Sequence, residues 1–213
     1  MSEPLNLLIG LAMGLNLLAL GSSRLLAVIR AMSVQGMVLG VMPLMIVGLS
    51  GWNVLFVAVM TVVIKGFFIP GLLRRAMRAA RITREVEPII DFVPSLLLGA
   101  GGTVAAVALA RVLPLLPEHA GTLLVPGALA SVLTGFVLLI GRAKAISQVC
   151  GYLILENGIY LFGLLLLEAT PVLVEFGVLL DLTVGIFVTG IIMDRIQRAF
   201  DSLDTRKLTV LRE

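Results

Sequence analysis

The sequence predicts an all-α, polytopic membrane protein with seven transmembrane helices, and three observations carry that prediction. Hydrophobic residues make up 59% of the 213 and charged residues only 14%, against roughly 25% charged usage in soluble domains; mean hydropathy is +1.11. Apolar runs of about 20 residues, the length that spans a bilayer, begin at residue 5 and recur up to residue 193, which leaves no room for a soluble domain. Basic residues gather in alternate connections, as expected if positive loops stay in the cytoplasm.

The first run, Leu5 to Gly21, follows Ser2, Glu3 and Pro4 with neither a basic leader nor a cleavage site, so it reads as a mature helix and not as a signal peptide. The second, Leu25 to Leu49, comes after Gly-Ser-Ser-Arg at 21–24 and contains Gln35 and Pro43. Trp52 to Leu73 starts on an aromatic interfacial anchor and holds Lys65 and Pro70. Both prolines can kink their helices and free backbone groups that line polar cavities. Arg74, Arg75, Arg78, Arg81 and Arg84 follow and place that connection inside the cell. The stretch from Leu72 to Asp91 reads first as this topology signal and second as a lipid-binding amphipathic segment.

The fourth helix, Phe92 to Leu113, carries Gly99, Gly101, Gly102, Ala105 and Ala106, read equally as a small-residue surface on which a neighbour can approach closely or as lipid-facing glycines of the kind frequent in membrane helices. Thr122 to Ile140 is the fifth. Gly-Arg-Ala-Lys at 141–144 then leads to the sixth, Ala145 to Leu167, and the seventh is Pro171 to Met193, with Arg195 and Arg198 after it. The opposite side carries Glu3, Glu118, His119 and Glu168, with Arg111 its one basic residue, near enough to a helix end to snorkel. The N-terminus is therefore expected outside and the C-terminus inside.

Helices one to three and five to seven run in the same directions, and each triplet has a basic turn between its first two members. That pattern is a parallel three-helix repeat, with the fourth helix returning the chain so that the second copy keeps its orientation. The expected division is residues 1–73 for the first repeat, 74–121 for a basic loop, linking helix and outer loop, 122–195 for the second repeat, and 196–213 for a cytoplasmic tail.

Glu156 and Asp181 stand near the centres of the sixth and seventh runs. At about 1.5 Å of rise per residue they lie roughly 16 and 15 Å from the starts of their helices, where an ionisable group by default marks an ion or proton pathway. Gln35 and Lys65 occupy matching depths in the first triplet, so one amide, one amine and two carboxyls form an array lying in the membrane plane. Burial raises a carboxyl pKa and lowers an ammonium pKa, which brings both protonation states within reach near neutrality. Glu175 is an outer mouth of this path or an interfacial carboxylate. Tyr152 and Tyr160 share a helix face with Glu156 and either bracket a hydrated pocket or pack on a neighbour. Asn157 and Gly158 weaken the helix locally. The alternative for the whole group is a structural ion pair between Lys65 and one acid, although two acids for one lysine leave a carboxyl in excess.

The net charge of +3 and pI near 9.5 do not argue for nucleic acid, because membrane topology accounts for the basic residues. Cys150 is the single cysteine, so a disulfide and multi-cysteine metal sites are excluded, and it reads as a small buried apolar residue. The single histidine, His119, falls in a loop, and no nucleotide loop or nucleophilic triad is present. The chain is expected to hold no cofactor and to be no enzyme alone.

Gly-Tyr-Leu-Ile-Leu-Glu-Asn-Gly at 151–158, Pro-Val-Leu-Val-Glu-Phe-Gly-Val-Leu-Leu-Asp at 171–181 and Leu-Asp-Thr-Arg-Lys-Leu-Thr-Val-Leu-Arg at 203–212 resemble the hydrogenase-4 component E family of formate hydrogenlyase-type complexes, and Ile-Lys-Gly-Phe-Phe-Ile-Pro at 64–70 is similar to that family's third helix. Helices five to seven also resemble the three-helix K-type subunit of respiratory complex I, with Glu156 at its first intramembrane glutamate and Asp181, one methylene shorter, at its second. The resemblance implies a multi-pass subunit of an inner (plasma) membrane complex. Its implied partners are antiporter-like membrane subunits, a quinone-pocket-type subunit, and a peripheral arm of hydrogenase-like and iron–sulfur proteins holding the nickel–iron and iron–sulfur centres. Its implied role is proton translocation through Glu156, Asp181 and Lys65. Two other classes stand beside it: a subunit of a cation/proton antiporter without a redox arm, and a passive membrane scaffold.

Overall fold

A computed structural model describes residues 2–46, 52–79, 83–85, 88–113 and 121–165. The elements among them are α1 (Ser2–Gly21), α2 (Leu25–Ile46), α3 (Trp52–Thr61), a π-helical stretch (Val62–Phe68), α4 (Ile69–Ala79), α5 (Phe92–Val112), α6 (Leu124–Gly141) and α7 (Ala145–Leu164). Helices satisfy every internal backbone group within one segment, which is what a chain this apolar needs in lipid. Five helical segments among the described residues are long and apolar enough to cross a membrane: Glu3–Gly21, Leu25–Ile46, Val54–Arg78, Phe92–Val112 and Leu124–Gly141. α7 is as long, but Gln148, Glu156 and Asn157 lie within it and it is not among the five. The protein is thus an all-α, multi-span membrane protein. The expected seventh helix, with Glu175 and Asp181, lies outside the described residues, as does the tail.

The third expected helix is longer than its sequence suggests. α3, the π stretch and α4 form one continuous rod from Trp52 to Ala79, so Arg74, Arg75 and Arg78 belong to a helix and not to a loop. Ile69, Leu73, Ala76 and Met77 are buried, and that helical spacing packs Ile69, Leu73 and Met77 in one cluster with Leu25, Val28, Ile29 and Met32 of α2, which outweighs the charge on the other side of the rod. The helical register widens before Pro70. Ile69 N–H reaches back five residues to Ile64 O, and Gly66 O, which the proline cannot serve for want of an N–H, accepts a 2.5 Å hydrogen bond from Ser33 Oγ of α2.

Hydrogen bonds at the two ends of the bundle set the helix directions. At one end Asn6 Nδ2 donates to Gly121 O at 3.1 Å and Asn6 Oδ1 accepts from Leu123 N at 2.8 Å, so α1 and α6 start side by side; Gly121 has φ +94°, a turn geometry that favours glycine. At the other end Arg142, just past α6, donates from Nη2 to Leu20 O at 2.6 Å. The hairpins α1–α2 and α6–α7 therefore lie parallel. Thr83, Glu85 and Ile90 stitch their turns together through Glu85 N to Ser23 O, Leu25 N to Thr83 O and Ile90 N to Gly141 O.

Arg142 is 2% exposed, so it works as an interior staple and not merely as a topology charge. Its Nη1 also donates to Ile90 O at 2.8 Å and Ser95 Oγ at 3.4 Å, and the guanidinium stands 4.6 Å from the Phe92 ring centre. Burial lowers its pKa, while the charge of Glu85 acts in the opposite direction. Glu85 is itself buried. Its Oε1 accepts from the N–H groups of Ala143 and Lys144 at 3.2 and 3.1 Å and its Oε2 from Ser147 Oγ, which caps the start of α7 with a carboxylate.

α5 packs on α1 and α6. The contact uses only part of the glycine-rich surface: Gly99 faces Leu20 and Gly102 faces Leu133, with Ala106 buried, whereas Gly101 and Ala105 are exposed. Spacings of three and four residues select one stripe of the helix and leave the residues between on the outside.

Candidate functional site

Two apolar clusters divide the interior. One holds Leu20, Leu25, Ile29, Met32, Ile69, Leu73, Leu138, Cys150 and Ile154. The other holds Leu5, Ile9, Leu39, Met42, Leu124, Ala128 and Leu161. Along α1, α2, α6 and α7 the chain passes from one cluster to the other through a polar residue: Asn16, Gln35, Ser131, and the pair Glu156 and Asn157. Lys65 of the rod meets them at the same level. All six are buried, none more than 5% exposed.

They form one connected chain. Lys65 Nζ donates to Glu156 Oε1 and to Asn157 Oδ1, both at 3.1 Å; Asn157 Nδ2 donates to Gln35 Oε1 at 3.1 Å; Gln35 Nε2 donates to Asn16 Oδ1 at 2.9 Å; and Asn16 Nδ2 donates to Ser131 Oγ at 2.9 Å. Each amide turns its oxygen toward the lysine and its nitrogen away. The three dipoles therefore add, and all of them favour positive charge at Nζ. The Lys65–Glu156 pair sits in an apolar bundle, where the loss of hydration is offset only by such close partners. The ammonium also stands 5.0 Å from the Tyr160 ring centre, within cation–π range.

Close helix approach makes the chain possible. A Cβ at Gly36 of α2 would meet Lys65 Cβ at 2.6 Å, and a Cβ at Gly158 of α7 would meet Val132 N of α6 at 2.6 Å. Only glycine lets these backbones come near enough for short amides to span them. A small cavity lined by Met32, Lys65, Ile69, Leu153 and Asn157, with about 10 Å³ for water centres, adjoins the lysine. That is room for about one water, with two polar side chains to hold it.

Of the residues singled out in the sequence, Gln35, Lys65 and Glu156 stand together in one layer across the helices. Asp181 and Glu175 lie outside the described residues. Asn157 is a bridging member and not merely a weak point in the helix. Asn16 and Ser131 were not anticipated; the available signal was a buried-depth polar residue in each of two apolar runs. Tyr160 faces the lysine, whereas Tyr152 packs against an apolar cluster. Among the described residues no group of three or more His, Cys, Asp or Glu could hold a metal ion.

The chain is 32% identical over 189 residues to the uncharacterized protein Rv0085 of Mycobacterium tuberculosis, a match covering 88% of this chain and 86% of that protein. Hydrogenase-4 component E of Escherichia coli K12 and of Shigella flexneri is 32% identical over 85 residues, 40% of this chain and 39% of theirs. The relation to hydrogenase-4 component E is thus distant and partial. No protein-family model matches the chain, and no solved structure matches it.

Proposed function

The chain belongs to the family of the uncharacterized Mycobacterium tuberculosis protein Rv0085, and from that premise we propose that it is a non-catalytic membrane-arm subunit of a complex I-like, hydrogenase-type assembly that contributes a proton path. The observation that carries the reading is the buried Lys65–Glu156 pair at one end of an oriented amide chain and beside a water-sized cavity. An acid and a base that both have close partners exchange a proton at low cost when their environment is rearranged. The partial similarity to hydrogenase-4 component E supports a redox-driven assembly as its setting, with antiporter-like, quinone-pocket-type and iron–sulfur subunits as partners and the metal centres on them.

In this reading Asp181 continues the layer from the seventh helix and Glu175 lies toward the outer surface. Residues 1–73 and 122–195 are two copies of one three-helix unit. The end that bears the basic turns faces the cytoplasm, so the N-terminus is outside and the C-terminus inside, in the plasma membrane.

The test begins with purification of the intact assembly from native membranes and identification of its subunits by mass. Co-purifying iron–sulfur proteins are expected; antiporter-type subunits alone would assign the chain to an antiporter without a redox arm. Glu156→Gln and Asp181→Asn are then expected to assemble normally and to lower substrate-driven proton movement in membrane vesicles. Unchanged proton movement in both variants refutes the pathway. One observation favours a static lock in its place: each amide of the chain is already bonded at both its oxygen and its nitrogen. Wild-type coupling in a Lys65→Met, Glu156→Gln double variant would establish that reading.

A further inference from the structure

We propose that the outward face of the rod, near its Ala79 end, binds an anionic phospholipid, with the acyl chains on Phe67 and Phe68 and the phosphate on Arg75 and Arg78. Phe67 and Phe68 are 59% and 54% exposed, and Arg75 and Arg78 are exposed one and two turns further along. Phe67, Gly71, Arg75 and Arg78, spaced by four, four and three, share one helix face. Gly71 is exposed too, and a Cβ built on it would meet nothing within 4 Å, so the face has a notch between its apolar and its basic part. The face cannot turn inward, because Ile69, Leu73, Ala76 and Met77 on the other side of the same turns are buried.

Among the described residues no acid forms a salt bridge with the charge on this end. Arg24 and Arg84 are exposed and stand side by side across a backbone bridge. Glu85, next to Arg84, turns its carboxylate inward to Ala143, Lys144 and Ser147. Asp91 precedes α5, which packs on α1 and α6 and not on the rod. Among the described residues the one salt bridge is the distant Lys65–Glu156 pair. An apolar strip that runs into exposed arginines on the same helix face matches a phospholipid in both of its parts. Guanidinium forks bind phosphate through paired charge-assisted hydrogen bonds, and basic residues at a membrane surface are drawn to anionic headgroups.

The test is native mass spectrometry of the full chain in detergent, titrated with phosphatidylglycerol, phosphatidylcholine or soluble glycerol phosphate. Phosphatidylglycerol is expected to be retained in preference to phosphatidylcholine, and R75Q/R78Q is expected to weaken its retention by roughly thirty-fold, from two basic contacts. R75K/R78K should keep most of it, R111Q at the other end of the bundle all of it, and F67A/F68A should lower retention of the lipid. Equal binding of the two lipids, unchanged retention in R75Q/R78Q, or glycerol phosphate bound as tightly as the lipid would each overturn the proposal. If R75Q/R78Q fails to fold, the wild-type chain decides by salt: a preference for phosphatidylglycerol that does not fall as salt rises refutes an arginine–phosphate site.

Discussion

Burying the Lys65 ammonium among apolar helices costs several kcal/mol unless close acceptors replace its water, to about the extent that breaking a buried pair costs, roughly 3–5 kcal/mol. Glu156 and Asn157 accept from it at 3.1 Å. Lys65→Met alone is therefore expected to lower the thermal midpoint of the detergent-solubilised protein more than the Lys65→Met, Glu156→Gln double variant does. Equal losses would show that the two charges are not coupled. Asn16→Leu strands Gln35 Nε2 and Ser131 Oγ, since Asn16 bonds both; its expected cost is about 1–2 kcal/mol, the range of interhelical hydrogen bonds in membranes, read from the same midpoint. Glu156, Lys65 and Gln35 were legible in the sequence because a charge or a long amide in an apolar run is costly and so conspicuous. Asn16, Ser131 and the bridging role of Asn157 were not, because a small neutral polar residue is tolerated in any helix, and only its neighbour across the interface gives it a task.

Helices pack here through glycine. Gly36→Ala would push a methyl to within 2.6 Å of Lys65 Cβ and force the rod off α2, at a cost of about 1–3 kcal/mol, with a fall in the thermal midpoint and in any lysine-dependent activity. Gly101→Ala, with open space at its Cβ, is the matched control; it should be neutral or stabilise by up to about 1 kcal/mol through helix propensity. Helix positions were legible from apolar runs and basic turns, and Pro70 as a point of distortion. The π register and the continuation of the rod past Leu73 to Ala79 were not. A run of arginines reads as a loop until Ile69, Leu73 and Met77 are seen clustered with α2.

The described bundle is held at one end by a hydrogen-bonded clasp of Glu85 and Arg142 that joins three connections of the chain. Glu85 caps α7 while its backbone holds the α1–α2 turn, and Arg142 binds the end of α1 and the segment leading into α5. Glu85→Ala is expected to cost about 1–2 kcal/mol, as loss of a helix cap does, seen as a lower midpoint together with faster proteolysis near residues 83–91. An unchanged cleavage rate would show that the clasp does not bind the connection. At this scale the basic turns that open α2 and α7 are legible in the sequence, and the side-by-side placement of the α1–α2 and α6–α7 hairpins is visible only in the contacts between them. The sequence by itself determined a helical, many-span membrane protein with ionisable groups inside its apolar runs, because lipid forbids open backbone and penalises charge whatever the packing. Only the tertiary structure decided that those groups are neighbours: a hydrogen bond forms over about 3 Å, and no spacing along five separate helices specifies which faces are brought to that distance.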